Sequence, residues 1–116
     1  HIHSGLSHEQ VSETLKYTQI ISQCMQIIVE AAEKTVQGES LTYTRLLSHL
    51  YYILVRTKNG SKVGVDLNCY MEEQYPVAME VARKVCNFIE EQIQIELEDL
   101  ERGYLAIHIE RYFSEA

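Results

Sequence analysis

Residues 40–60 have the sequence SLTYTRLLSHLYYILVRTKNG, and this stretch decides the class of fold. Its apolar residues recur at steps of three and four, which is the period of one face of an α-helix. Ser40 and Thr42 are residue types that cap helix starts, and Asn59-Gly60 is a helix-ending signal. The stretch therefore predicts one amphipathic helix with a buried face made of Leu46, Leu47, Leu50, Ile53 and Leu54.

The same helical period extends toward the N-terminus. It predicts a long helix from Glu9 to Val36, with Ser7 as a candidate cap and Gly38 as the stop. The apolar positions of this helix are Val11, Leu15, Ile20, Ile21, Cys24, Ile28, Ala31 and Ala32. Residues 1–8 are expected to be a disordered N-terminal tip or the remnant of a tag, since an HIH tip opens the chain.

Toward the C-terminus, the segment between Gly60 and Pro76 is the least regular and has room only for a short helix around 69–74. Pro76 suits the first turn of the next helix, because the N–H that proline lacks is not needed there. That helix is expected to run to about Gln92 on a buried face of Val77, Val81, Val85, Phe88 and Ile89. A last helix continues from Leu100 through Tyr104, Ile107 and Arg111 to Phe113. Residues 9–116 are thus predicted to form an all-α, single compact bundle of about five helices.

Composition excludes several classes of protein. The 116 residues fit one domain, and 17 acidic against 10 basic residues give a formal charge of −7, the wrong sign for direct contact with nucleic acid. No run of 18 apolar residues is present, so a membrane span is not expected. Three cysteines without CxxC spacing indicate reduced thiols and a cytoplasmic protein.

Standard catalytic signatures are absent from the sequence. HExxH, GxSxG, P-loop and GxGxxG motifs do not occur, so we expect no enzyme activity, no catalytic residue, no metal site and no cofactor. An acidic run before the last helix lacks the glycine turn of a calcium loop. It is expected to be solvated and to favour the positive end of the helix dipole; its members are Glu96, Glu98, Asp99 and Glu101.

Two histidines within helices are the candidate functional residues. His49 has Arg45 four residues before it and Arg56 seven residues after it, so one helix face could hold an anion such as phosphate. His108 is followed by Arg111 at i+3, in similar surroundings. The alternative is structural: His49 would be half-buried on a solvated basic face, and His108 would be a boundary residue bonded to a tyrosine or carboxylate.

Three segments resemble the signature regions of the PTS regulation domain, or PRD, and their order also fits. LLSHLYYILVR (46–56) resembles its first histidine motif, with an arginine two turns after His49, and LEDLERGYLAIHI (97–109) resembles its second motif around His108. Between them, DLNCYMEEQYPVAMEVARKVCNFIEE (66–91) is similar to the family's Asn-x-Leu region and the Tyr-Pro that opens a long helix.

The resemblance implies a five-helix module of bacterial antiterminators and transcription activators. It implies that His49 and His108 are phosphoacceptors, with Arg45, Arg56 and Arg111 as neighbours of the phosphate. Its partners would be phosphotransferase-system phosphocarrier and sugar-specific transport proteins, and phosphorylation would act on a homodimer. Two alternatives stay open: a constitutive helical dimerisation module with structural histidines, and a small metal- or ligand-binding bundle that uses His49, His108 and Glu101.

Overall fold

The computed structural model describes residues 8–33, 40–59 and 65–115, and its elements there are five α-helices. No strand occurs in these ranges, which confirms the predicted all-α bundle. The expectations for residues 1–7, Gly38 and Gly60 lie outside the described residues. The helices are α1 (His8–Ala32), α2 (Leu41–Asn59), α3 (Asn68–Gln74), α4 (Pro76–Ile93) and α5 (Leu100–Ser114).

The helix ends follow from local chemistry. Ser40 caps α2, because its Oγ accepts a hydrogen bond from the backbone N–H of Tyr43 at 3.1 Å. Pro76 occupies the first position of α4, as predicted. The predicted end of α1 at Val36 is wrong: Glu33 adopts a left-handed φ of 56°, so the helix ends at Ala32.

The core lies between α1, α2, α4 and α5, and the predicted face of α2 is correct, with Leu46, Leu50 and Ile53 fully buried. The predicted burial of Val77 in α4 is wrong, and one apolar position of α1 lies outside the core. Leu15 is 59% exposed and Val77 is 63% exposed. In α1, none of residues 12–19 is buried. In α4, Val81, Val85 and Ile89 are buried as predicted, whereas Ala78 takes the place expected for Val77. The buried hydrophobic residues are Ile20, Cys24, Met25, Ile28, Val29, Leu46, Leu50, Ile53, Leu54, Met71, Ala78, Met79, Val81, Ala82, Val85, Cys86, Ile89, Leu97, Leu105, Ala106, Ile109 and Tyr112.

One asparagine ties α3 to the start of α5. The side-chain amide of Asn68 donates to the backbone oxygen and the carboxylate of Asp99, both at 3.0 Å, and its Oδ1 accepts the backbone N–H of Gly103 at 2.8 Å. A Cβ on Gly103 would lie 2.8 Å from the backbone of Asn68 and of Leu67, so only glycine permits this approach. The first turn of α5 is therefore held in place from outside the helix.

Two further expectations can be compared with the fold. Cys24, Cys69 and Cys86 are free thiols, as expected, and only Cys69 is exposed. Among the described helices, none combines the length and the apolar character that crossing a membrane requires.

Candidate functional site

Helices α2 and α5 run antiparallel and bring the two candidate histidines into contact. The ring centroids of His49 and His108 are 4.3 Å apart, and the ring planes are inclined by 30°. Contacts on either side keep the same register, because Thr42 donates a hydrogen bond to Glu115 and Arg56 pairs with Glu101. We call this set of residues the α2–α5 seam. Its polar members are spaced by seven residues along the chain: Thr42, His49 and Arg56 on α2, Glu101 and His108 on α5, and Glu115 directly after α5.

Tyr104 completes an aromatic cluster with the two histidines. Its ring centroid lies 4.9 Å from that of His49 and 5.9 Å from that of His108, with an edge-on arrangement in both cases. The ring also lies 6.0 Å from the guanidinium carbon of Arg56. Tyr104 thus contacts both imidazoles and connects them to the arginine.

The two imidazoles differ in burial. His49 is only 6% exposed, and its Nε2 is buried without a hydrogen-bond partner. His108 is half-buried. The expectation that a structural His49 would be half-buried on a solvated face is wrong in its placement, because α5 covers the ring.

Both rings are held in the neutral form at neutral pH. Burial lowers the pKa of His49 from its usual 6.5 to about 3, with smaller contributions from His108 and from the positive charge of Arg56. Burial also lowers the pKa of His108, assisted by Arg111 and Arg45. A neutral imidazole keeps a nitrogen lone pair, which is what a nucleophile or a ligand needs.

The predicted arginines divide between the two histidines. Arg56 is the guanidinium whose charge acts on His49, whereas Arg45 and Arg111 act on His108. Arg45 and Arg111 are exposed. All three predicted arginines therefore act electrostatically on one or the other member of the histidine pair.

The environment of Glu101 overturns one expectation. The sequence indicated a solvated acid, but Glu101 is 2% exposed and its carboxylate accepts two hydrogen bonds from Arg56, at 2.6 Å from Nη2 and 3.2 Å from Nε. The carboxylate tolerates burial because this bidentate partner compensates its charge. The seven-residue spacing from Glu101 to His108, which matches that from His49 to Arg56, is the sequence signal that could have revealed the pair.

The described residues do not favour a metal centre. In residues 8–33, 40–59 and 65–115, no three His, Cys, Asp or Glu side chains are grouped so as to hold a metal ion. The set considered from sequence, His49, His108 and Glu101, does not form such a group, because the carboxylate of Glu101 is bound to Arg56.

Comparison with known proteins identifies the family. The model of the PRD domain matches residues 19–112, which include both histidines and the three arginines. The chain belongs to the PRD domain family. This confirms the resemblance noted from the sequence.

Curated relatives of this PRD domain are longer proteins. The PtsGHI operon antiterminator of Bacillus subtilis is 26% identical over 113 residues, which cover 96% of this chain and 40% of that protein. The transcription antiterminator LicT of Bacillus subtilis is 27% identical over 119 residues, covering 100% of this chain and 43% of LicT. Protein GlcT of Staphylococcus saprophyticus is 22% identical over 111 residues, which cover 94% of this chain and 40% of that protein. The chain therefore spans about two fifths of the length of each relative. No solved structure gives a significant match.

Proposed function

We propose that this PRD domain is a regulatory module of a sugar-responsive transcription regulator or antiterminator, controlled by phosphorylation of His49 and His108. The donors would be phosphotransferase-system proteins, a phosphocarrier and sugar-specific transport proteins. The observation that carries the proposal is the contact of two neutral imidazoles, on which three arginines act electrostatically, in a domain whose relatives include proteins named as antiterminators.

In the proposed phosphoryl transfer, the domain supplies only the accepting ring nitrogen. A lone pair on a ring nitrogen of the acceptor forms a new N–P bond while the N–P or S–P bond of the donor breaks and returns its electron pair to the donor. The product releases the proton of its second ring nitrogen to solvent. The domain accepts a phosphoryl group and turns over no substrate, so the proposal includes neither enzyme activity nor a cofactor.

Burial indicates an order of access. His108 is half-buried, whereas His49 is 6% exposed. A donor protein must bring its phosphorus atom into line with the accepting nitrogen, so His108 is the first target and His49 requires α2 and α5 to separate. Each phosphate would add about two negative charges, which Arg45 and Arg111 can pair on the His108 side.

Part of the proposal concerns self-association. Tyr51 on α2 is 50% exposed and lines a groove of about 290 Å³ between α1 and α2, together with Tyr17 and Ile21. Its neighbour Tyr52 is 57% exposed. Exposed rings beside an apolar groove are typical of protein contact surfaces. We assign a homodimer contact to this face; Tyr51→Glu should then weaken association in sedimentation, while an unchanged sedimentation profile would contradict the assignment.

The proposal also fixes a location and a limit. A domain that receives phosphoryl groups from phosphotransferase-system proteins would work in the cytoplasm with them. Its formal charge of −7 opposes direct contact with nucleic acid, so such contact would belong to other parts of the regulator.

The test is acid-labile phosphorylation measured by intact mass. The protein is incubated with phosphoenolpyruvate and the general phosphotransferase proteins, then with sugar-specific donors, and compared with His49→Ala, His108→Ala and the control His8→Ala. We expect wild type and the control to gain the mass of one or two phosphoryl groups. Each seam variant should lack the phosphoryl group that its missing histidine would have accepted. No gain with any donor would contradict the proposal and favour a constitutive dimerisation module.

A further inference from the structure

Arg56 lies between two negatively charged or chargeable positions. It forms the bidentate pair with Glu101, and it lies two turns after His49 on the same helix. Helical side chains lean toward the N-terminus of their helix, so the long side chain of Arg56 extends back toward His49. The ring of Tyr104 contacts both His49 and Arg56.

We propose that Arg56 is an exchangeable counter-ion: when His49 carries a phosphoryl group, Arg56 leaves Glu101 for the phosphate, and the unpaired carboxylate releases the start of α5 from the end of α2. This inference rests on the proposed function, since it needs a phosphoryl group on His49. Under this proposal, phosphorylation of His49 breaks the Arg56–Glu101 pair, whereas phosphorylation of His108 leaves it intact.

The balance of charge drives the exchange. A phosphohistidine carries about two negative charges and three acceptor oxygens, whereas Glu101 carries one charge, so a shared guanidinium binds the phosphate more strongly. Glu101 is 2% exposed, and a buried carboxylate without its partner is strongly destabilising. It must move into solvent or take up a proton, and either change removes the link between the end of α2 and the start of α5.

Phosphorylation of His108 acts on other arginines. Arg45 and Arg111 are the cations whose charge reaches its ring, and both are exposed. They can turn toward a phosphate there without disturbing the Arg56–Glu101 pair. A phosphoryl group on His108 therefore leaves the start of α5 linked to the end of α2.

The experiment separates the two histidines. His108→Ala and His49→Ala, each with one seam histidine left, are phosphorylated either by the phosphotransferase proteins or by phosphoramidate, a chemical donor that releases ammonia. Hydrogen exchange is then followed by mass spectrometry in peptides that cover residues 97–107. Breaking a buried ion pair predicts that phosphorylation speeds this exchange at least about tenfold in His108→Ala and less than about twofold in His49→Ala.

A second variant tests the pair without any phosphate. Glu101→Gln keeps the shape of the side chain but removes its charge, so the same peptides should exchange faster in the unmodified protein. Glu72→Gln is the matched control, because it removes the same charge from the exposed ion pair with Arg83 and should change exchange less than about twofold.

The outcomes distinguish this inference from the proposed function. Two results would overturn the proposed role of Arg56 as an exchangeable counter-ion. One is an equal rate of hydrogen exchange in phosphorylated His108→Ala and His49→Ala, and the other is a wild-type rate of hydrogen exchange in Glu101→Gln. Phosphorylation of His49→Ala but not of His108→Ala would also overturn it, because His49 would then not be an acceptor, while the part of the proposed function that concerns His108 would survive. If phosphoramidate modifies both variants and no phosphotransferase donor does, the proposed function fails, and the exchange data still decide the role of Arg56.

Discussion

Acidification should destabilise this domain chiefly through His49. Its ring is buried against α5, and its pKa is lowered from 6.5 to about 3, with burial as the main cause. Once unfolded, the same ring regains its usual pKa near 6.5. Below pH 6.5 the unfolded chain therefore binds a proton at this position and the folded chain does not, so stability falls as the pH falls.

The size of the effect follows from the two pKa values. Stability changes by about 1.4 kcal/mol per pH unit once the pH is well below the unfolded pKa and above the folded one. Between pH 7.5 and pH 5.0, His49 alone removes about 2 kcal/mol from the free energy of unfolding. The pKa of His108 is also lowered, so its contribution has the same sign.

Urea denaturation at pH 7.5 and pH 5.0 measures this loss. His49→Gln keeps a polar side chain that does not titrate. Between pH 7.5 and pH 5.0, the variant should therefore lose about 2 kcal/mol less of its free energy of unfolding than wild type loses. Each protein is compared with itself at the two pH values, which cancels the effect of the substitution at neutral pH. If His49→Gln loses as much stability as wild type, the ring is not held neutral by burial and the reasoning is wrong.

Three further predictions test other parts of the fold. Gly103→Ala places a Cβ against the backbone of Leu67 and Asn68, so it should lower the free energy of unfolding by about 2 kcal/mol in a denaturation experiment; a wild-type midpoint would contradict the close approach. Asn68→Ala removes three hydrogen bonds from α3 to Asp99 and Gly103 and should destabilise the fold by about 1 to 2 kcal/mol, with faster hydrogen exchange at the start of α5 as its signature. A thiol reagent should modify the exposed Cys69 quickly in the folded protein. Cys24 and Cys86 should react only after unfolding, because burial raises the pKa of each thiol to about 12. Rapid reaction of all three cysteines would refute this prediction.

The sequence predicted the helices better than it predicted what they bury. The pattern of α2, its Ser40 cap and the Pro76 start of α4 depend on neighbouring residues, so they are visible in the sequence. Leu15 and Val77 also fit helical periods, but both are exposed, because the face that a helix buries depends on the helices packed against it.

In the candidate site, too, the local features were predictable from the sequence and the contacts between helices were not. Each histidine and its arginines could be named from spacing along one helix. The contact between His49 and His108 and the burial of Glu101 arise from the packing of α2 against α5, which joins residues far apart in the chain. The acidic character of Glu101 indicated solvent, since an isolated carboxylate belongs there, and only the position of Arg56 reverses that expectation.

The seven-residue spacing of the seam restricts how the two helices can move. Thr42, His49 and Arg56 face Glu115, His108 and Glu101 in one register. A slide of α5 along α2 by one turn, about 5.4 Å, would misalign all three contacts at once. A small rotation or separation of the helices, in contrast, can open one contact and keep the others. The register of the seam therefore favours movements across the helix axes over movements along them.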